Sequence, residues 1–181
     1  MFMKVIIISG TPGTGKTTLA KKLAKKLDFE YIDINKIIKK YGLSGGYDKK
    51  RKCEVVDIKK LNKRLIKTIN QYKKLSLKKK SINKESLRKI KNKIKGLIID
   101  SHLSHYLPPR YIDLCVITKC NLRILQKRLK KKHYSKEKIR ENLDCEIFDI
   151  CLNEAKENKH EMIIIDTTKG INMKPILSEI K

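Results

Sequence analysis

No two cysteines in this chain are spaced as C-x-x-C. The five present (Cys53, Cys115, Cys120, Cys145 and Cys151) are an odd number, so neither a disulfide framework nor a zinc ribbon is indicated. Thiols in a reducing compartment fit better. No apolar run approaches a membrane span, and the opening "MFMKVIIISG" is too short for a signal-peptide core, which predicts a cytoplasmic protein with no membrane partner. Acidic residues are scarce: 19 Asp and Glu stand against 45 Lys and Arg, a formal charge of +26. A field of that sign attracts polyanions such as nucleotides and RNA. Arginine is scarce as well, 7 of those 45 cations, which fits a general lysine bias as well as it fits selection for a ligand. Internal repeats are absent.

The 181 residues suffice for one compact domain, and 40% hydrophobic content argues against wholesale disorder. Short β-branched runs alternate with amphipathic helical patterns. "VIII" (5–8), "GLIID" (96–100), "YIDLCVIT" (111–118) and "MIIID" (162–166) read as buried strands, with "FEYI" (29–32) and "CEVV" (53–56) extended. Leu19, Leu23 and Leu27 mark one face of a helix, and Asp33 and Asp57 are placed to cap two more, the second running to about Tyr72. "YGLSGGYD" (41–48) reads as loop. "NLRILQKRLKKK" (121–132) is helical. Residues 136–158 read as one long helix with Ile139, Leu143, Ile147, Ile150 and Cys151 facing inward. "NMKPILSEIK" reads as a short closing helix. Strands alternating with helices imply a three-layer α/β sandwich around a central parallel sheet. Residues 73–95 differ, with 11 Lys or Arg and the single acid Glu85. This basic insertion has Leu87, Ile90 and Ile94 at helical spacing, and it reads as an RNA-facing arm or as a solvated lysine-rich loop.

The chemistry starts at "GTPGTGKTT" (10–18), the Walker A pattern Gly10-x4-Gly15-Lys16-Thr17 between a strand and a helix. Glycines let backbone N–H groups turn inward around phosphate oxygens. Lys16 offers a point charge to the β and γ oxygens, the Thr17 hydroxyl is a natural magnesium ligand, and the helix start adds its positive dipole end. Asp100 ends an apolar strand, the position of a Walker B carboxylate that holds Mg2+ through water. His102, two residues on, is suited to orient or deprotonate a water, and is equally suited to bond loop backbone.

Several stretches together resemble the adenylate kinase isoenzyme 6 family. They are "GTPGTGKTT", "GYDKKRKCEVVD" (46–57), "GLIIDSHLSHYLPPR" (96–110) and "HYSKEKIRENLDCEIF" (133–148), the last being the most family-specific. The resemblance covers nearly the whole chain except 73–95. It implies a P-loop kinase domain over 1–181 of the nucleoside monophosphate kinase type with a short lid. It implies transfer of the terminal phosphate of ATP to AMP, ATP hydrolysis, and a part in late maturation of the small ribosomal subunit through transient contact with a platform ribosomal protein. Carried onto this sequence, Gly13, Gly15, Lys16, Thr17, Thr18 and Lys132 would bind ATP, and Thr17 and Asp100 would hold Mg2+. Lys16, Asp100 and His102 would be catalytic, and Asp33, Lys39, Tyr47 and Asp48 would serve the monophosphate. The monophosphate-binding segment would be 33–56 and the lid about 131–141.

The sequence departs from the family where Lys39, Lys119 and Lys132 stand in place of arginine. An ammonium is a point charge without the two-pronged grip of a guanidinium. Arg128 and Arg140 lie nearby in sequence as compensating cations. Transfer to AMP is therefore expected to be weaker than plain ATP hydrolysis. Three readings stay open: a monophosphate kinase with ATPase activity, an ATP-switched assembly factor for which monophosphate turnover is incidental, and a small-metabolite kinase. The third leaves "CEIF" and the D-x-H pair unexplained.

Overall fold

The computed structural model describes residues 3–48, 53–78 and 94–180. Most of the basic insertion, including Leu87 and Ile90, lies outside the described residues.

β1 (Lys4–Gly10) runs into the glycine-rich turn and then α1 (Lys16–Leu27). β2 (Glu30–Asp33), α2 (Ile34–Tyr41), β3 (Ser44–Asp48), β4 (Cys53–Val56) and α3 (Ile58–Lys78) follow. The chain then forms β5 (Gly96–Asp100), β6 (Leu114–Lys119), α4 (Leu122–Lys131), α5 (Lys136–Ile147), α6 (Ile150–Glu157), β7 (Met162–Asp166) and α7 (Lys174–Glu179).

The main sheet has five parallel strands in the order β2-β5-β1-β6-β7, and β3 and β4 form a separate antiparallel pair. Parallel strands need both faces covered, which the β-branched runs provide. Val5 and Ile7 of β1 pack with Leu97 and Ile99 of β5 against Ile38, Leu61, Leu65 and Leu152 of α2, α3 and α6. Ile6 and Ile8 point the other way, with Ile98, onto Leu19 and Leu23 of α1 and Ile176 of α7. The three-layer α/β sandwich is therefore as the sequence predicts. A third small cluster, Cys120, Leu125, Leu129 and Ile139, joins α4 to α5.

Five local expectations are corrected. Residues 44–48 are a strand because the glycine-rich segment pairs with β4, an arrangement that local propensity does not contain. α3 continues to Lys78 rather than ending near Tyr72, so the start of the basic stretch is the last turn and a half of a helix. The strand expected at 111–118 begins at Leu114, since Pro109–Tyr111 forms a 3-10 turn and the Asp113 carboxylate accepts the Val5 N–H at 2.6 Å. The helix expected at 136–158 is broken. Phe148 and Asp149 separate α5 from α6, with Asp149 in the left-handed conformation (φ 53°). At that break Ile147 and Ile150 turn out to solvent, 51% and 39% exposed, instead of inward.

Candidate active site

Parallel topology brings the glycine-rich turn at the end of β1 beside the C-terminal end of β5, with which β1 pairs (Ile8 opposite Asp100). This is the crevice outside the carboxyl ends of the strands where α/β sheets bind ligands. A cavity of about 910 Å³ lies there. Its lining includes Gly13, Gly15, Lys16, Thr17 and Thr18 from the turn and α1, Asp100 and His102 from β5 and beyond, and Lys132 from the end of α4.

Lys16 is buried, and its ammonium donates to Gly10 O at 2.7 Å and Thr11 O at 2.9 Å. Burial pushes its pKa down to about 8, against the attraction of the Cys151 thiol and the Asp100 carboxylate, with Lys132 pushing the same way as burial. The turn is braced from behind. Thr14 Oγ1 and Thr118 Oγ1 of β6 share a hydrogen bond at 2.6 Å, and the Thr167 hydroxyl donates to Thr14 O. Gly13 lies so close to α4 that a Cβ there would stand 2.8 Å from Leu125 Cδ1 and 2.9 Å from Leu129 Cδ2. The apolar face of α4 thus supports the phosphate turn directly.

Asp100 is buried at its strand end and accepts from Tyr31 Oη at 3.0 Å through Oδ2. The segment after it is pinned by serines: Ser101 N–H and the Ser104 hydroxyl both donate to Ile8 O, at 3.2 Å each. His102 is exposed to the cavity on this segment, and no hydrogen bond holds its ring among the described residues. Crowding by the cavity walls, then the Lys16 ammonium, His105 and Lys138, lower its pKa to about 4. The ring opens to solvent, so the crowding is that of a cleft rather than a core, but the cationic neighbours act in the same direction. At neutral pH His102 is an uncharged imidazole able to accept a proton.

Hard oxygen donors suit Mg2+. The Thr17 hydroxyl lines the cavity, and Asp100 does so with one oxygen committed to Tyr31. Among the described residues no group of three or more His, Cys, Asp or Glu could hold a metal ion on its own. Thr17 and Asp100 are two oxygen donors, and Mg2+ commonly takes one or two protein ligands and completes its shell with substrate phosphates and water.

The expected monophosphate residues fall elsewhere. Asp33 pairs in register with Asp100 on the neighbouring strand, and its carboxylate caps α2 by accepting Asn35 N–H at 2.9 Å. Lys39 is exposed on α2, while Tyr47 and Asp48 lie on β3, Tyr47 61% exposed. None of these four lines the cavity, although Asn35 does. Nor is Lys119 at hand for phosphate. Its ammonium donates to Glu146 O at 2.8 Å and is paired with Asp149, clamping the α5–α6 break to the end of β6. Arg140 pairs with Asp144 and is off the lining, whereas Arg128 is on it. Arg128 donates to Thr167 O at 2.7 Å and Thr167 Oγ1 at 3.1 Å.

Sequence reasoning did not single out Lys131, Tyr134, Lys138, Asn142 and Glu154, all of which line the cavity. Lys138 and Asn142 fall at helical spacing in "KEKIREN", a signal that a cavity-facing helix would leave. Glu154 left none, because its partners are distant in sequence.

A lysine inside a glycine-rich turn between a parallel strand and a helix, with a carboxylate at the end of the adjacent strand, defines a P-loop nucleotide-binding fold of the kinase type. A solved structure, "a putative kinase" from Chloroflexus aurantiacus, shares the fold with TM-score 0.52 and 14% identity, over 99% of this chain and 97% of that one. A family profile described as "AAA domain" matches residues 6–149. The "Putative adenylate kinase" of Methanocaldococcus jannaschii is 36% identical over 175 residues, 97% of this chain and 82% of the relative. The "Adenylate kinase isoenzyme 6 homolog" of Caenorhabditis elegans is 31% identical over 159 residues, 88% of this chain and 76% of the relative. The chain belongs to the adenylate kinase isoenzyme 6 family.

Proposed function

We propose that this protein transfers the terminal phosphate of ATP to AMP and also hydrolyses ATP, acting in the cytoplasm in late maturation of the small ribosomal subunit. The observation that carries the reading is the convergence of Lys16, Thr17, Asp100, His102 and Lys132 on one cavity at the strand ends. Relatives that bear the adenylate kinase name support the reaction class.

Phosphoryl transfer needs two anions held in line and the charge on the migrating group neutralised. Backbone amides of the turn, with Gly13, Gly15 and Thr18, grip the triphosphate, and Lys16 reaches the β and γ oxygens. Thr17 and Asp100 would hold Mg2+, which would supply positive charge to offset that developing on the transferred group. Lys132, with Arg128 behind it, supplies charge from the lid, residues 131–141. Asp33, Lys39, Tyr47 and Asp48 belong to the acceptor segment, 33–56, which must move toward the cavity to deliver AMP. Without AMP, water attacks the γ phosphorus, the bond to ADP breaks, and neutral His102 orients that water and accepts its proton.

A second reading, an ATP-switched assembly factor, draws support from the acceptor side. Four expected acceptor residues stand off the cavity lining, and Lys119 is committed to Asp149 and Glu146. Hydrolysis is accordingly the faster reaction. A platform ribosomal protein is the proposed transient partner, and the basic surface gives RNA a place to bind. Product analysis decides the issue: with Mg2+ATP and AMP, free phosphate exceeds the ADP made by transfer. A rate with AMP far above that with ATP alone refutes the hydrolytic emphasis, and no turnover in either case refutes both readings.

A further inference from the structure

Glu154 lies on α6 and lines the same cavity as the phosphate turn, and both of its oxygens are occupied. Oε2 is 2.8 Å from His105 Nε2, and Oε1 accepts from Tyr106 Oη at 2.7 Å. His105 is 1% exposed, and its other nitrogen, Nδ1, is 2.7 Å from Ser9 Oγ on β1. A carboxylate only accepts, so His105 donates from Nε2; burial lowers its pKa, and in the neutral ring Nδ1 accepts a hydrogen bond from the Ser9 hydroxyl. One carboxylate therefore fastens the turn Ser104–Tyr106 to α6 on one side, while the same imidazole fastens it to the strand leading into the phosphate turn. Further bonds secure this end: Asn62 Nδ2 donates to Tyr106 O at 2.7 Å, and His160 Nε2 is 2.8 Å from His105 O.

His102 is placed by this arrangement. Ser101 is tied to β1 on one side of it, and residues 104–106 are tied to α6 on the other. Its own ring is held by no hydrogen bond among the described residues, so its position is set by the backbone between those two anchors. We propose that Glu154 is the positioning residue for His102, fixing the far end of the D-x-H segment through His105 and Tyr106 so that the imidazole faces the reacting phosphate. This rests on the role given to His102 above.

The effect reaches the chemical step without touching the triphosphate, so it appears in kcat rather than KM. Replacing Glu154 by Ala removes both bonds and is expected to lower kcat for ATP hydrolysis about tenfold or more, the scale of a misplaced catalytic group, with KM for ATP unchanged. Glu154→Gln can accept from His105 and donate to the tyrosine oxygen, so it is expected to retain most of the rate. Tyr106→Phe removes one bond and is expected to fall between. In a His102→Ala background, Glu154→Ala is expected to add no further loss, because groups acting as one unit are not additive. Each variant is measured as folded protein, established by circular dichroism. If Glu154→Ala does not fold, Tyr106→Phe carries the test in both backgrounds.

If His102→Ala leaves hydrolysis unchanged, the assignment of His102 has failed. If His102→Ala slows hydrolysis while Glu154→Ala and Tyr106→Phe keep the wild-type kcat, the positioning inference has failed and the His102 assignment stands. A raised KM for ATP, or losses that multiply in the double variant, would make Glu154 a binding or purely structural residue and overturn the proposal.

Discussion

Two glycines with the same backbone angle in different surroundings allow strain and collision to be separated. Gly10 and Gly170 both have φ of 131°, a region that L side chains rarely adopt. A Cβ on Gly170 would meet nothing within 4 Å. A Cβ on Gly10 would stand 2.5 Å from Thr118 O and 2.7 Å from Thr118 Oγ1. The carbonyl is part of β6 and cannot swing aside. The hydroxyl is bonded to Thr14 of the phosphate turn. Gly170→Ala should therefore cost only backbone strain, about 1–3 kcal/mol. Gly10→Ala should cost that strain plus an overpacking cost of similar size, for a total of about 2–6 kcal/mol. The stiffening of the unfolded chain is common to both and cancels in the comparison. Against a typical stability of about 5–15 kcal/mol, the larger figure would leave Gly10→Ala marginal. The chain has no tryptophan, so urea unfolding is followed by circular dichroism. If Gly10→Ala were no less stable than Gly170→Ala, the close approach of β1 to β6 would not be what requires glycine at position 10.

Further outcomes follow from the protonation of Lys16 and His102. With Lys16 held near 8, affinity for Mg2+ATP should weaken as pH rises past that value, by about tenfold one unit above it, and Lys16→Met should lose the dependence; a flat titration of Kd from pH 7 to 9 refutes it. The unfolded chain keeps the Lys16 proton to higher pH than the folded chain, so this group makes stability rise with pH between about 8 and 10.5. For His102 the unfolded chain binds a proton below about 6.5 and the folded chain only below about 4, so stability from this group is gained as pH rises through that window. Hydrolysis should show no inflection near 6.5 and should fall only as pH approaches 4; an acid limb near 6.5 that disappears in His102→Ala refutes the neutral-imidazole reading.

What the sequence determined by itself is what short-range patterning can carry. β-branched runs such as "VIII" and "LIID" fix buried parallel strands, Leu19 and Leu23 at helical spacing fix the inner face of α1, and Gly10, Gly15 and Lys16 at fixed offsets fix the phosphate turn. Those signals work because strand and helix periods, and the dihedral freedom of glycine, are properties of neighbouring residues.

The rest was decided by contacts between residues far apart in the chain. The helix broken at Asp149 reads as continuous until Lys119, 30 residues away, takes the Glu146 carbonyl and the Asp149 carboxylate. Ser44–Asp48 is a strand only because β4 offers its edge. Glu154 meets His105 across 49 residues, and Arg128 meets Thr167 across 39. Hydrogen bonds of this kind depend on where the sheet brings two segments, and a buried donor or carboxylate takes whichever partner the fold delivers.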